Sequence, residues 1–120
     1  MRKELEAKHQ QDIILFMNKH YFNTHIIFSV PNEIPYPLPK KIMMDILSRL
    51  TQNGLLKGAS DLVILCPDKR YITVEIKRST GSQRPAQIIF QKRVESINGD
   101  YFIIRSLEDF INKVVPILWN

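Results

Sequence analysis

The chain has 120 residues, 44% of them hydrophobic and 24% charged, with a net charge of +5. That length suits one domain of about 100–150 residues, expected here over residues 1–120, and composition of this kind excludes a disordered or fibrous chain. The lone Cys66 rules out an internal disulfide and a cysteine-based zinc site. It follows an apolar run, so a small buried hydrophobe is expected there rather than a reactive thiol. The charged start MRKELEAKHQ has no secretory apolar core, and no apolar stretch nears the ~20 residues that span a bilayer. A cytoplasmic protein is expected, or one in the host cytoplasm if phage-encoded. The basic excess favours polyanionic partners, nucleic acid first, although charge alone is a weak signal.

In chain order, residues 3–21 predict a helix, with Leu5, Ile13, Phe16, Met17 and Tyr21 at helical spacing. HIIFSV at 25–30 predicts a short strand, and PNEIPYPLP then holds four prolines in nine residues, which predicts an ordered loop packed through Ile34, Tyr36 and Leu38. Residues 40–51 predict a second helix, with Ile42, Met43, Ile46, Leu47 and Leu50 inward and Asn53-Gly54 ending it. Residues 61–65 and 71–77 predict a hairpin across CPDKR, and 83–97 a helix with Ile88, Ile89 and Val94 on its apolar face. A strand over 101–105 follows, and then a helix capped by Ser106 with Glu108 and Asp109 in its first turn. This order predicts an α/β fold, a mixed sheet flanked by helices, with a parallel crossover over 71–105.

The chemistry concentrates in GASDLVILCPDKRYITVEIKRS. Strand side chains alternate, so Ile72, Val74 and Ile76 take one face while Thr73, Glu75 and Lys77 take the other. If Leu65 pairs with Tyr71, then Asp61 stands opposite Glu75, with Cβ atoms roughly 4.5–5.5 Å apart. Two opposed acids repel unless something neutralises them, and a divalent cation does so. Each acid alone also fits a turn cap or a solvated sheet face. The same register, however, buries Leu62, Ile64, Ile72, Val74 and Ile76 together, so an independent apolar pattern forces the acids side by side. Mg²⁺ takes one or two carboxylates and completes its shell with water and phosphate oxygens. The Ile76 carbonyl is a further candidate ligand, and Lys77 a candidate to offset charge on a reacting phosphate.

Asp61 followed by Glu75-Ile76-Lys77 matches the (P)D…(D/E)xK signature of restriction-endonuclease-like nucleases, with Ser60 where a proline is common. Across SVPNE, LKGASDLVIL, YITVEIK, Gln87 and FIIRSLEDF the chain resembles the VRR-NUC family, in the family's order and over nearly its whole length, as a stand-alone member would. The resemblance implies an αβββαβ core and a Mg²⁺- or Mn²⁺-dependent endodeoxyribonuclease acting on branched DNA, as a Holliday-junction resolvase does, with a role in DNA repair. It implies that Asp61, Glu75 and Lys77 are catalytic, that Gln87 supports them, and that an acid of the first helix joins the metal ligands. Glu6 is the candidate for that acid, because Glu6, Gln10, Ile13 and Met17 share one helical face. A first-turn acid favoured by the helix dipole is an equal reading of it, and Glu4 is the fallback.

Asn32 and Arg105 are weaker candidates for substrate or structural roles. Lys40, Lys41, Lys57, Arg78 and Arg84, with Lys92 and Arg93, are candidate phosphate contacts, although a solubilising role accounts for about half such residues. His9, His20 and His25 lack metal-ligand spacing. Two-fold incision of a junction needs two sites, so a homodimer is expected, built on the Pro-rich loop at 33–39, with its apolar Ile34, Tyr36 and Leu38 held by prolines, ahead of an outer helix face. A non-catalytic nucleic-acid-binding module explains the charge equally well but has no need of Asp61, Glu75 and Lys77 together. A sequence-specific restriction enzyme would need a base-reading element, and no segment is available to form one.

Overall fold

A computed structural model describes residues 2–31 and 37–119, with side chains from residue 4. Asn32, Ile34 and Tyr36, assigned packing or substrate roles above, lie outside the described residues. The elements are α1 (Arg2–His20), β1 (Ile26–Ser29), α2 (Lys40–Gln52), β2 (Leu62–Leu65), β3 (Tyr71–Ile76), α3 (Pro85–Ser96), β4 (Asp100–Ile104) and α4 (Leu107–Lys113). Short 3₁₀ turns follow β2 and α4. The expected order of helices and strands holds, with boundaries moved by a residue or two.

The four strands form one mixed sheet in the order β1-β2-β3-β4. The first two pairings are antiparallel and β3–β4 is parallel, so the crossover through α3 joins parallel strands as expected. Leu65 pairs with Tyr71 and Leu62 with Val74, the register that the alternation required. Leu62, Ile64, Ile72, Val74, Ile76 and Ile104 are buried on one face beneath Ile13 and Met17 of α1 and Phe110, Val114 and Leu118 of the C-terminal segment. Each such side chain removed from water contributes roughly 1.5–3 kcal/mol, so this face is the main source of stability and sets the sheet's orientation.

The opposite face carries the acids. Val30 N donates to the Asp61 carbonyl at 2.8 Å, which extends the β1–β2 ladder past the strand ends and fixes the main chain at Asp61. Helix α3 covers the β3–β4 half of this face, where Phe90 meets the Tyr101 ring at 6.1 Å. Over β1 and β2 no described element covers the same face, and Ile26, Phe28 and Leu65 are exposed.

Two expectations are corrected. Helix α2 buries none of its residues, and Ile42 and Leu50, expected inward, are exposed. The stripe is real as a pattern, but no described sheet or helix receives it. In α3 only Val94 is buried, while Ile88 and Ile89 are exposed. Gln87, Phe90 and Gln91 share the sheetward side with Val94, because polar contacts at the acids outweigh apolar burial there.

His25 is buried and structural. Its Nε2 meets the Leu118 carbonyl at 2.7 Å, the same oxygen that takes a 2.8 Å hydrogen bond from Arg70. Together they tie the end of the chain to the hairpin. Cys66 is half-buried against the core, and burial pushes its thiol pKa up, as befits an inert packing residue.

Candidate active site

Asp61 sits one residue before β2 and Glu75 one before the end of β3. Continuing the pairing of Leu62 with Val74 sets them opposite each other. The Asp61 carboxylate is held from below, where Ile76 N donates to its Oδ2 at 2.8 Å. Glu75 is held from above. Gln87 Nε2 donates to Glu75 Oε2 at 3.0 Å, while Gln87 Oε1 accepts from Arg84 N at 2.8 Å. That second bond fixes the amide's orientation, so its NH₂ can only face the carboxylate. The Lys77 Nζ lies 3.8 Å from the same Glu75 oxygen, and both side chains are almost wholly buried.

Removing this cluster from water has a clear electrostatic result. Burial, then the Asp61 charge and a hydrogen bond shared with Asp61, push Glu75 up to about 9, against a smaller opposing pull from Lys77. Asp61 is also raised, chiefly by burial, although the Ile76 amide works against it. The pair therefore holds a proton at neutral pH rather than two full charges. Apart from the proton shared with Asp61, Glu75 Oε1 is buried with no hydrogen-bond donor from the protein. A buried oxygen whose only partner is a second carboxylate suits a hard cation, which displaces the proton and satisfies both groups. Strand residues direct their N–H and C=O to the same edge, so the Ile76 carbonyl lies on the Asp61 side as well.

Glu6 reaches the margin of this cluster. Its helical phase is as expected, half-buried above Ile13 and Met17, while Glu4 is exposed. Its charge raises both Asp61 and Glu75, and its Oε2 accepts from Arg78 N at 3.4 Å. Among the described residues no group of three or more His, Cys, Asp or Glu side chains is close enough to hold a metal ion. Asp61 and Glu75 are the opposed pair, and Glu6 stands beside them.

The basic candidates divide. Arg78 follows Lys77 directly, and Arg84 begins α3 beside Gln87. Lys57 lines a shallow cleft of about 120 Å³ with Leu56, Ala86, Ile89, Phe90 and Arg93. Next to it Gly58 has φ +85, and a Cβ there would meet the Ala86 carbonyl oxygen at 2.3 Å, so only glycine allows this loop to lie against α3. Lys40 and Lys41 sit exposed on α2, which the structure does not bring against the acids.

Further residues, without a motif of their own, support this cluster from behind. Gln83 Nε2 donates to Gln91 Oε1 at 2.8 Å and to the Tyr101 hydroxyl at 3.2 Å, which steadies the approach to α3. Burial first, with smaller contributions from Glu75 and Asp61, pushes Tyr101 up to about 12, so it acts as a neutral hydroxyl. Its alternation with Phe102 was the available signal, because it puts the hydroxyl on the acid face.

Comparison with known proteins bears on the family and the fold. The VRR-NUC domain family matches residues 4–108. A solved structure described as a VRR-NUC domain protein is 14% identical, with a TM-score of 0.73 over 97% of this chain and 91% of its own. A second, described as a VRR-NUC domain, is 12% identical with a TM-score of 0.57, over 92% and 98% respectively. At such identities the likeness is one of fold. No curated protein matches.

Proposed function

Because this chain belongs to the VRR-NUC domain family, a nuclease family acting on DNA, we propose that it is a divalent-metal-dependent endonuclease that cuts branched DNA as a homodimer. The observation that carries the proposal is half-buried Asp61 opposite buried Glu75, where one Glu75 oxygen has no donor from the protein and the Lys77 ammonium lies 3.8 Å from the other. Asp61, Glu75 and the Ile76 carbonyl would hold Mg²⁺ or Mn²⁺, which when bound polarises a scissile phosphate and acidifies a water. Two carboxylates suit an ion that keeps several waters and takes phosphate oxygens. Lys77, buried and fixed by the strand, orients the attacking water and offsets charge gathering on the phosphate. Gln87 holds the Glu75 carboxylate in one rotamer through its own fixed amide, and the Ile76 amide does the same for Asp61. Arg78, Arg84 and Lys57 grip the neighbouring phosphates.

Outward-facing apolar surfaces support the dimer. Residues of the α2 stripe and the open β1–β2 face have no described cover, with Ile26 61% and Ile42 48% exposed. A two-fold axis through an interface on these faces would present two copies of the site to two opposed strands of a junction. The experiment is a cleavage assay with labelled duplex, flap, three-way and four-way substrates, with Mn²⁺ and with EDTA. Metal-dependent cutting that favours branched substrates is expected. Equal cutting of all forms would remove the branched preference, and binding without cutting in Mn²⁺ would leave a nucleic-acid-binding module.

A further inference from the structure

We propose that Arg105 is a positioning residue that holds the 78–81 turn so that the Arg78 guanidinium receives a DNA phosphate beside the reacting one. The proposal rests on the reading of DNA as the substrate. The pairing of β3 with β4 places Arg105 next to Lys77, whose amide donates to the Ile104 carbonyl at 3.0 Å. Beyond Lys77 the chain leaves the sheet and turns, with Gly81 N donating to the Arg78 carbonyl at 2.9 Å. Arg105 Nη1 donates into this turn, to the Arg78 carbonyl at 2.8 Å, the Gly81 carbonyl at 2.7 Å and, more weakly, the Ser79 carbonyl at 3.4 Å. Only a guanidinium extends planar donors so far while remaining charged. Its own backbone is tied down in turn. Arg105 N donates to Asp109 Oδ2 at 2.9 Å, and Asp109 N donates to the Ser106 hydroxyl at 3.0 Å. The RSLED stretch thus anchors the tether at the start of α4.

What the tether presents is a half-used arginine. Arg78 Nη1 donates to the Thr80 hydroxyl at 2.9 Å, and Arg78 N to Glu6 Oε2 at 3.4 Å. Its Nε is buried and has no partner in the protein. Nε and the adjacent Nη form the fork that takes a phosphate in bidentate fashion, and Arg78 is the residue directly after Lys77. An unpaired buried guanidinium N–H is costly, and an incoming phosphate removes that cost. In this arrangement Thr80 orients the fork and Arg105 orients Thr80.

The test is binding of a fluorescent four-way junction in Ca²⁺, followed by anisotropy across a salt series. Wild type, R78A, R105K, T80V and the double variant R78A/R105K are compared. One lost phosphate contact should flatten the slope of log K against log salt by about 0.9, an affinity loss of roughly eightfold at 0.1 M salt. R78A and R105K should each show this change, T80V part of it, and R105K should add nothing in the R78A background. Mn²⁺ affinity measured by calorimetry should be unchanged throughout, because Asp61 and Glu75 are untouched. A wild-type slope in R105K, or losses in R78A and R105K that simply add, would overturn the proposal. T80V keeps it testable should R105K not fold, since Thr80 is exposed and a wild-type slope in T80V would count against the fork. Junction binding without cleavage in Mn²⁺ would sink the nuclease reading while leaving this Ca²⁺ binding measurement valid.

Discussion

Replacing Glu75 with glutamine should stabilise the metal-free protein at neutral pH while ending its activity. Folded Glu75 has its pKa pushed from 4.5 to about 9, by burial and then by Asp61. A carboxyl raised on folding supports the folded state fully below its unfolded value, and loses that support as pH climbs toward the folded one. Between about pH 4.5 and 9 the unfolded chain has released the proton and the folded chain still holds it. Each pH unit in that window costs about 1.4 kcal/mol, so holding the proton at pH 7 costs about 3 kcal/mol. Glutamine presents a neutral group of the same shape, can still accept from Gln87, and carries no such cost. Urea unfolding of EDTA-treated wild type and E75Q, followed by circular dichroism at pH 5, 7 and 8.5, measures the difference. E75Q should be close to wild type at pH 5 and about 3 kcal/mol more stable at pH 7, with the gap wider still at pH 8.5. Saturating Mn²⁺ should narrow the gap by stabilising wild type alone. An E75Q protein no more stable than wild type at pH 7, or one whose advantage is the same at pH 5, would refute the reasoning.

Asp61→Asn and Lys77→Ala should each cut junction cleavage at least a hundredfold while leaving the fold intact, and cleavage at the wild-type rate by either variant would remove that residue from the mechanism. Glu6→Gln should weaken Mn²⁺ binding or turnover and Glu4→Gln should do little, with calorimetry and initial rates as the readouts; the opposite ranking would mean Glu6 plays no part. Gly58→Ala should cost roughly 2–3 kcal/mol in thermal unfolding from strain and the clash with Ala86, and an unchanged melting temperature would mean the loop moves freely off α3. Light scattering should give twice 14.1 kDa, and Ile46→Glu on the α2 stripe should halve it; a wild-type protein of one-chain mass that still cuts junctions would end the dimer.

The hairpin was legible in the sequence because its signal is local and doubled. Alternation fixed which residues of β2 and β3 share a face, and one register satisfied both the apolar set and the acids, so Asp61 opposite Glu75 required no tertiary information. The helical phase of Glu6 with Ile13 and Met17 was readable for the same reason, since i, i+4 and i+7 lie on one side of any helix. Periodicity, however, reports which side of an element is apolar and not whether anything covers it. Helix α2 has its stripe and no described neighbour to bury it, and Ile88 and Ile89 point outward because Gln87 must point in. The reach of Arg105 to the carbonyls of residues 78–81 joins segments 24 to 27 residues apart, through an arginine whose spacing repeats nothing. Contacts of that kind come into being only when β4 docks beside β3, and the tertiary structure alone decided them.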